Sequence, residues 1–346
     1  MARYPSRLHG WQRGHTLKWV YGISALFIVA GVISFIYGRP FGTNEEEAPV
    51  DLANINIENK KEPSTVVVQD TTPKHIVEPN LSKIMPQATS EPNPRVAELI
   101  DEAMALVNGK PARIIEARDR LNETLLIPMN NLQRAVIKQK LSELADKWLF
   151  SRTVFPQDRF CSNYQIKSGD KLMAIGKQHK VPWEILQEVN KIGRPELVKA
   201  GAMIKVIHGP FHVRIYRSTF TMDLYLQHIF VRSFGVGLGR EGRETPAGRW
   251  RVKQGGKLIK PPWADPDTGK LLHYGDPGYA LGSRWIALEG INGEAKDRTG
   301  FGIHGTKEPE TIGTNSSRGC IRLHNGDVIL VYNLLVPGYS RVEVVE

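Results

Sequence analysis

The pattern of apolar and polar positions begins with one long apolar run. Residues 19–37 carry no charge and span about 28 Å as a helix, close to the ~30 Å hydrocarbon core of a bilayer. Basic residues precede the run, and residues 45–47 after it are all glutamate, so the charge bias places residues 1–18 in the cytoplasm. We expect a single-pass anchor in the inner, cytoplasmic membrane, with the rest of the chain outside. A cleaved secretory signal is the alternative, and it has the same consequence for export.

Two segments of opposite character follow this run. Residues 38–94 contain many prolines and acidic residues without periodicity, which predicts a disordered linker. Residues 95–150 have apolar positions at helical spacing, with a stop at Gly109 and with Pro111 in the first turn of a second helix. The helices loosely resemble a tetratricopeptide-like hairpin, and a spacer or a docking bundle for an unknown protein partner is the simpler interpretation.

A third helix is predicted within the same segment. Asn130 or Asn131 is suited to cap its start, because an asparagine side chain accepts a backbone N–H of the first turn. The helical spacing predicts these residues on its buried side: Leu132, Val136, Leu141, Leu144 and Leu149.

The order strand, helix, helix, strand is predicted for residues 163–208. The segment resembles a LysM module at the following residues: Tyr164, Ser168, Gly169, Asp170, Leu172, Ile175, Asn190, Gly201 and residues 204–206. That resemblance implies binding of N-acetylglucosamine chains of peptidoglycan or chitin. The sugar groove would then contain Gly169, Asp170 and Leu172 in one turn and Asn190 in a second loop. The alternative is that these residues only make turns and caps.

The remaining chain, residues 210–346, is predicted to be rich in β-structure. Short segments with partial alternation, separated by glycine, aspartate and proline turns, indicate a mostly antiparallel sheet, and they cover residues 211–217, 220–226, 229–236 and 250–252. One face of the second strand is expected to carry Phe220, Met222, Leu224 and Leu226. Glycines at 235, 237 and 239 lack a following crossover helix, so we interpret them as a tightly packed strand end rather than a phosphate loop.

The candidate chemistry lies in residues 302–306 and 316–325. A cysteine attacks carbonyls as the thiolate, so it needs a base and positive surroundings that lower its pKa. Cys320 lies between Arg318 and Arg322, and His304 is close enough upstream for two paired strands to bring it near. Gly319 allows a sharp backbone turn that aims N–H groups at an oxyanion. The helix predicted for residues 326–335 would be capped by Asn325.

These motifs resemble the YkuD-type L,D-transpeptidase catalytic domain. The matching positions are His304, Gly305, Thr306 and residues 317–323, preceded by residues 245–248 and 280–282. The resemblance implies a β-rich fold that cross-links peptidoglycan stem peptides through a cysteine thioester, without cofactor or metal. By position, Cys320 is the nucleophile, His304 the base and later acid, and Arg322 a stabiliser of the site or substrate. Gly319 and Cys320 would supply oxyanion donors, and Gly305, Thr306 and Arg318 are expected to contact substrate.

Several alternatives remain at this level. Ser317 or a backbone carbonyl would orient His304, and Arg318 stands where many members have a second histidine. Attack on the thioester by an amine gives a cross-link between third-position residues, whereas attack by water gives an L,D-carboxypeptidase. A LysM scaffold without catalysis is a third function. Less favoured interpretations are a zinc site at Cys320, His304 and His324 and a merely buried cysteine.

Composition and net charge limit the classes of binding partner that the chain can have. The chain of 346 residues is 41% hydrophobic and 24% charged, with a net charge of +10, which suits nucleic acid, an anionic membrane or an anionic wall polymer. Dispersed basic residues, no aromatic-basic motif and the expected export argue against nucleic acid. The two cysteines, Cys161 and Cys320, are too few for a disulfide framework, and Cys161 is expected to be structural or free. The expected partners are therefore peptidoglycan and, through the anchor, a membrane.

Overall fold

The computed structural model describes residues 86 and 88–346. The predicted anchor and nearly all of the predicted linker lie outside these residues. Within them, no helix combines the length and the apolar character needed to cross a bilayer. The fold is therefore described from the first helix onward.

Three helices form the segment that the helical spacing predicted. They are α1 (Pro94–Asn108), α2 (Ile114–Thr124) and α3 (Asn131–Trp148). Asn93 caps α1 by accepting from the Arg95 N–H at 3.0 Å, and Asn130 caps α3 by accepting from the Gln133 N–H at 2.9 Å. The expectation for Pro111 is wrong, because α2 begins three residues later and proline stays in the connecting loop.

The buried side of α3 is rotated relative to the predicted stripe. Leu141, Leu144 and Leu149 are buried as predicted, but Leu132 is 73% exposed and Val136 is 36% exposed. The buried positions also include Ile137, Ala145 and Trp148. The prediction assumed one partner, whereas α3 packs against both α2 and the sheet of the following domain, which turns the buried face.

The LysM-like segment has the predicted βααβ order. Its elements are β1 (Cys161–Gln165), α4 (Leu172–Gln178), α5 (Trp183–Val189) and β2 (Met203–Ile207). The two strands are antiparallel, with Cys161 opposite Ile207 and Gln165 opposite Met203. Side chains of both helices and both strands are buried together in one small core.

The remaining chain forms a β-rich domain, as predicted. Its elements are β3 (Phe211–Tyr216), β4 (Thr221–Leu226), β5 (Ile229–Gly235), β6 (Leu238–Gly239), β7 (Gly248–Ile259), β8 (Trp263–Ala264), β9 (Leu271–Leu272), β10 (Arg284–Gly290), β11 (Phe301–His304), β12 (Asn315–Ser317), β13 (Ile321–Arg322), α6 (Asn325–Leu334) and β14 (Arg341–Val345). The main sheet has the order β13-β11-β10-β7-β14-β3-β4-β5. Two of its pairs, β11 with β13 and β14 with β3, are parallel.

The helical segment covers one end of this sheet. The predicted face of β4 is buried at Met222, Leu224 and Leu226, but Asp223 and Tyr225 on its other face are buried as well. Lys138 of α3 reaches Asp223 with an N–O distance of 2.6 Å. A buried carboxylate needs such a partner, so this ion pair joins the helices to the sheet domain of the same chain.

Lys205 fastens the LysM-like segment to the end of α3. Its side chain is 1% exposed, and its Nζ donates to the carbonyls of Trp148, Ser151 and Thr153 at 2.5, 2.9 and 2.9 Å. All three ammonium protons thereby find acceptors, one at the C-terminus of α3, where a positive charge is stabilised, and two in the loop that follows. The helices, the small βααβ unit and the sheet domain contact one another through buried polar groups.

Candidate active site

The parallel pairing of β11 and β13 brings His304 and Cys320 to neighbouring positions. Ile303 lies opposite Ile321, and His304 lies opposite Arg322. Cys320 directly precedes β13, so this register places it beside Gly302. Residues at alternate positions of a strand face the same side, so the thiol and the imidazole share one side of the sheet. The thiol sulfur is 3.9 Å from the carbonyl oxygen of Gly300.

One ring nitrogen of His304 has a fixed partner. The side chain is 3% exposed, and Nδ1 lies 2.6 Å from the carbonyl oxygen of Gly305. Because a carbonyl only accepts, Nδ1 carries the proton and Nε2 keeps the lone pair of a base. The orienting group is therefore a backbone carbonyl and not Ser317, which decides between the two alternatives left by the sequence.

The indole of Trp285 supports the His304 ring from one side. Trp285 lies opposite His304 on β10, and the two rings stack with centroids 5.6 Å apart and an interplanar angle of 26°. A side chain at Gly302 would meet the indole at 2.7 Å, so glycine there leaves room for the stack. No sequence motif marks Trp285, and the pairing of β10 with β11 reveals it.

Burial sets the protonation states of both groups. It lowers the pKa of His304 from 6.5 to about 4, and the positive charge of Arg322 acts in the same direction. Burial also raises the pKa of the Cys320 thiol, against the opposing effects of the Gly302 backbone and of Arg322. The expected lowering of the cysteine pKa by its arginines is therefore wrong, because loss of hydration outweighs them. At neutral pH the site holds a neutral thiol beside a neutral imidazole.

Ser317 holds the backbone turn that presents Cys320. Its hydroxyl donates to the Cys320 carbonyl at 2.6 Å and accepts from the Gly319 N–H at 3.1 Å. Gly319 has a φ of +113°, and a side chain there would meet the Phe301 ring at 2.7 Å. Only glycine fits this position.

That turn changes the expected oxyanion donors. The Gly319 N–H is already bonded to Ser317, so it is not available to substrate in this conformation. The Cys320 N–H has no acceptor within residues 88–346, which leaves it as the candidate donor. Thr245, which the sequence analysis cited only for its resemblance, donates to the Gly319 carbonyl at 2.9 Å and fixes the turn from below.

The two arginines that flank Cys320 point to different partners. Arg322 approaches Thr311 Oγ1 at 3.3 Å and Glu308 at 3.5 Å, so its charge stays beside the site and fixes the preceding loop. Arg318 forms ion pairs with Asp265 and Asp267. These pairs engage Arg318 within the protein, and its expected contact with substrate stays a prediction.

Asp265 and Asp267 belong to a short hairpin near the loop that carries Cys320. The hairpin pairs Trp263 of β8 with Leu272 of β9. It has a small apolar core of its own, formed by Leu272, Tyr279 and Leu281 with Trp263 and Trp285 packed against it. The hairpin thus meets the site twice, through Arg318 beside the cysteine and through the indole that stacks on His304.

Comparison with known proteins agrees with this geometry. Residues 210–344 match the family model of the YkuD L,D-transpeptidase catalytic domain, and residues 164–206 match that of the LysM domain. The chain carries an L,D-transpeptidase catalytic domain. The LysM module predicted before it is confirmed as well.

Named L,D-transpeptidases are among the similar proteins. The chain is 28% identical to YkuD of Bacillus subtilis over 52% of this chain and 97% of that protein. It is 29% identical to YqjB of the same organism over 38% of this chain and 69% of that protein. A solved L,D-transpeptidase from Mycobacterium smegmatis aligns at 15% identity and a TM-score of 0.31, over 42% of this chain and 64% of that chain.

Other residues of the transpeptidase motif have structural tasks. Gly305 accepts from His304, and a side chain there would meet Asn325 at 2.1 Å. Thr306 is buried, and its carbonyl accepts from the Asn325 amide at 2.8 Å. Asn325 is the first residue of α6 rather than its cap, and it joins two loops. Gly305 and Thr306 thus have contacts within the transpeptidase domain, and their expected contacts with substrate stay a prediction.

The candidate sugar residues of the LysM module also make internal contacts. Asp170 accepts from the Lys167 N–H and the Tyr164 hydroxyl at 2.8 and 2.9 Å, and Leu172 is buried. The amide of Asn190 is buried and bonds the backbone of Lys205 through both N–H and carbonyl. These contacts favour turn and cap roles for the three side chains. Gly169 has a φ of +85° with open space around it, so its turn is accessible.

The structure also bears on the alternative zinc site and on the state of the two cysteines. Within residues 88–346, no three His, Cys, Asp or Glu side chains are grouped as metal ligands, and His324 is exposed before α6. Cys161 and Cys320 are both free thiols. A cavity of about 920 Å³ between α3 and the strands β3 and β4 contains none of the transpeptidase motif residues.

Proposed function

We propose that the chain is a peptidoglycan L,D-transpeptidase that joins third-position stem residues through a thioester on Cys320. The observation that carries this proposal is the His304 imidazole, held neutral by burial and with Nδ1 fixed on Gly305, on the same side of the sheet as the thiol. Such a base accepts a proton from a neutral thiol during attack.

Acylation begins with transfer of the Cys320 proton to Nε2 of His304. The sulfur attacks the carbonyl carbon of the third stem residue, and the Cys320 N–H stabilises the resulting oxyanion. Collapse breaks the amide bond to the terminal D-amino acid, and the imidazolium protonates the leaving amine. The proton that left the thiol thus leaves with the product, and the acyl group stays on sulfur.

Deacylation repeats these steps with a second stem peptide. Its amine attacks the thioester, gives one proton to His304, and the thiol regains it as the carbon–sulfur bond breaks. The bond energy kept in the thioester makes ATP unnecessary outside the membrane. If water attacks instead, the same residues perform L,D-carboxypeptidation, so the outcome depends on how well the acceptor peptide excludes water.

Location and partners complete the proposal. The LysM module would bind glycan strands, and the apolar run at residues 19–37 would anchor the chain in the cytoplasmic membrane with its enzyme on the outer side. No cofactor is needed for the steps above. A scaffold that binds wall without catalysis is the alternative, and the intact arrangement of Cys320 and His304 argues against it.

The test is incubation of the full-length chain with purified disaccharide-tetrapeptide, followed by mass spectrometry. The native chain is expected to release the terminal D-amino acid and yield dimers, whereas Cys320→Ala yields neither. Trimmed monomer alone would establish carboxypeptidation. Sedimentation with wall sacculi in the absence of any product or adduct would establish the scaffold.

A further inference from the structure

A second cavity, of about 410 Å³, lies between the LysM module and the transpeptidase domain. On the LysM side it is lined by the outer face of α5, with Trp183, Gln187 and Glu188. On the other side it is lined by Arg284 at the start of β10 and by Tyr332 of α6. Neither the turn at Gly169 nor any residue of the catalytic motif belongs to it.

The lining is suited to an uncharged ligand with many hydrogen-bonding groups. Two carboxylates, Glu184 and Glu188, are balanced by two cations, Lys191 and Arg284, so neither a polyanion nor a polycation is favoured. Trp183 supplies an aromatic surface beside these polar groups, the combination that orients small ligands in pockets. The amides of Gln187 and Asn333 also line the cavity, and an amide offers both hydrogen-bond donors and an acceptor to a sugar.

The cavity is lined by residues that neighbour both functional parts of the molecule. Lys191 and Ile192 line it, and they lie in the loop that the LysM resemblance assigns to sugar binding. Arg284, at the opposite side, is followed by Trp285, which stacks on His304. A ligand in the cavity therefore lies between the glycan-binding module and the strand that supports the base.

We propose that this cavity is a second glycan subsite, which holds N-acetylated sugar residues of the same peptidoglycan strand that the LysM module binds. The proposal rests on the transpeptidase function above and adds how the donor is delivered. Neighbouring side chains of a strand face opposite sides, so the cavity and His304 lie on opposite sides at one end of β10. Three extended stem residues span about 10 Å, so the proposal requires the peptide to pass around this strand end to Cys320.

The experiment blocks the cavity from an exposed helical position. Glu188→Trp adds bulk on α5, and Lys177→Trp, at an exposed position of α4 outside the cavity, is the matched control. The full-length chain is assayed with a tetrapeptide carried on a glycan strand and with the same tetrapeptide free. Glu188→Trp is expected to lower the ratio of the two kcat/KM values about tenfold, the effect of ~1.4 kcal/mol of lost binding, through a higher KM for the glycan-borne donor. Lys177→Trp is expected to keep the native ratio.

A binding measurement separates this proposal from the transpeptidase function. In the Cys320→Ala chain, Glu188→Trp is expected to weaken binding of peptide-free glycan strands about tenfold, and Gln187→Ala gives the same direction without added bulk. An unchanged ratio with unchanged glycan binding overturns the subsite. Weakened glycan binding in a chain whose native form makes no product overturns the transpeptidase function and leaves the subsite standing.

Discussion

The two cysteines of this chain both have a raised thiol pKa, but they differ in exposure and in their neighbouring groups. Burial raises the pKa of Cys161 to about 12, and it raises the pKa of Cys320 as well. The Cys161 sulfur faces the Trp148 carbonyl at 4.0 Å behind the Lys205 ammonium. Cys320 is partly exposed, on the same side of the sheet as a neutral histidine. A low thiol pKa therefore does not mark the nucleophile here, and a base with a free lone pair does.

Desolvation favours the neutral forms of both the Cys320 thiol and the His304 imidazole. Burial disfavours the thiolate of Cys320 and the imidazolium of His304 alike, so no ion pair is stored in the resting site. Charge appears only when sulfur attacks and the proton moves. Cys161 has neighbours of both signs: Lys205 lowers its pKa, whereas burial and the Asp158 carboxylate raise it and keep the thiol protonated.

Removal of each thiol is expected to separate the two cysteines most sharply. Cys320→Ala is expected to lower kcat at least about 10³-fold, because the covalent route disappears. Cys161→Ala is expected to keep kcat within about threefold and to reduce the free energy of unfolding by roughly 1 kcal/mol, as expected for loss of a small buried group. Dimer formation and thermal unfolding measure the two effects. Equal losses of kcat in both variants would contradict the comparison.

Loss of the base is the next largest effect. His304→Gln keeps a polar side chain near Gly305 but removes the proton acceptor, so kcat is expected to fall about 10³-fold. Alkylation of Cys320 by iodoacetamide at pH 7 should slow as well, whereas the rate at Cys161 stays negligible in the folded chain. Unchanged alkylation of Cys320 would show that His304 does not deprotonate it.

The pH dependence of kcat/KM tests whether His304 is the neutral base. Neutral imidazole is the active form of a base, and it predominates above its pKa, which burial lowers from 6.5 to about 4. The acid limb of kcat/KM is therefore expected near pH 4, while activity continues to neutral pH and above because the thiol stays protonated until its raised pKa. A limb near pH 6.5 would instead indicate a hydrated, ordinary histidine.

Trp285 tests whether the histidine must be held in place. Trp285→Ala removes the ring that stacks on His304, and kcat is expected to fall about 10-fold to 100-fold through misplacement of the base. Trp285→Phe keeps an aromatic surface and should recover most of the loss. If both variants change only KM or only the free energy of unfolding, and leave kcat unchanged, the indole has no positioning role.

The smallest effect is expected at Arg318. Its ion pairs with Asp265 and Asp267 are partly exposed, and such pairs contribute about 0.5–1 kcal/mol. Arg318→Gln is expected to change kcat/KM by at most about threefold and to increase the fraction of hydrolysis over cross-linking as the hairpin loosens. Loss of all activity would show that Arg318 contacts substrate directly, as the sequence suggested.

Local patterns predicted much of the architecture. A break at Gly109 and a cap at Asn130 helped to locate the helices, because both residues act on the adjacent backbone. The βααβ order and the candidate catalytic residues Cys320 and His304 also followed from short motifs. Predictions failed where a distant segment intervened, as at Leu132 and Val136, since no local pattern reveals that α3 covers a sheet.

The details of the site were predictable only in part. The motif indicated the residue types, but it did not reveal that the Ser317 hydroxyl occupies the Gly319 N–H or that Arg318 is paired with a hairpin some fifty positions upstream. It also suggested a lowered cysteine pKa from neighbouring charges. Burial, which depends on the whole fold, reversed that direction.

The contacts of Lys205 limit which domains of such proteins can be exchanged by recombination. The carbonyls of Trp148, at the end of α3, and of Ser151 and Thr153, in the loop after it, are all satisfied by a single ammonium from another segment. A recombinant in which a foreign wall-binding module replaced residues 163–208 would remove this donor, and the buried Trp148 carbonyl left unpaired costs about 1–3 kcal/mol. Lineages of this enzyme are therefore expected to exchange the helices and the wall-binding module together, so that their gene trees agree.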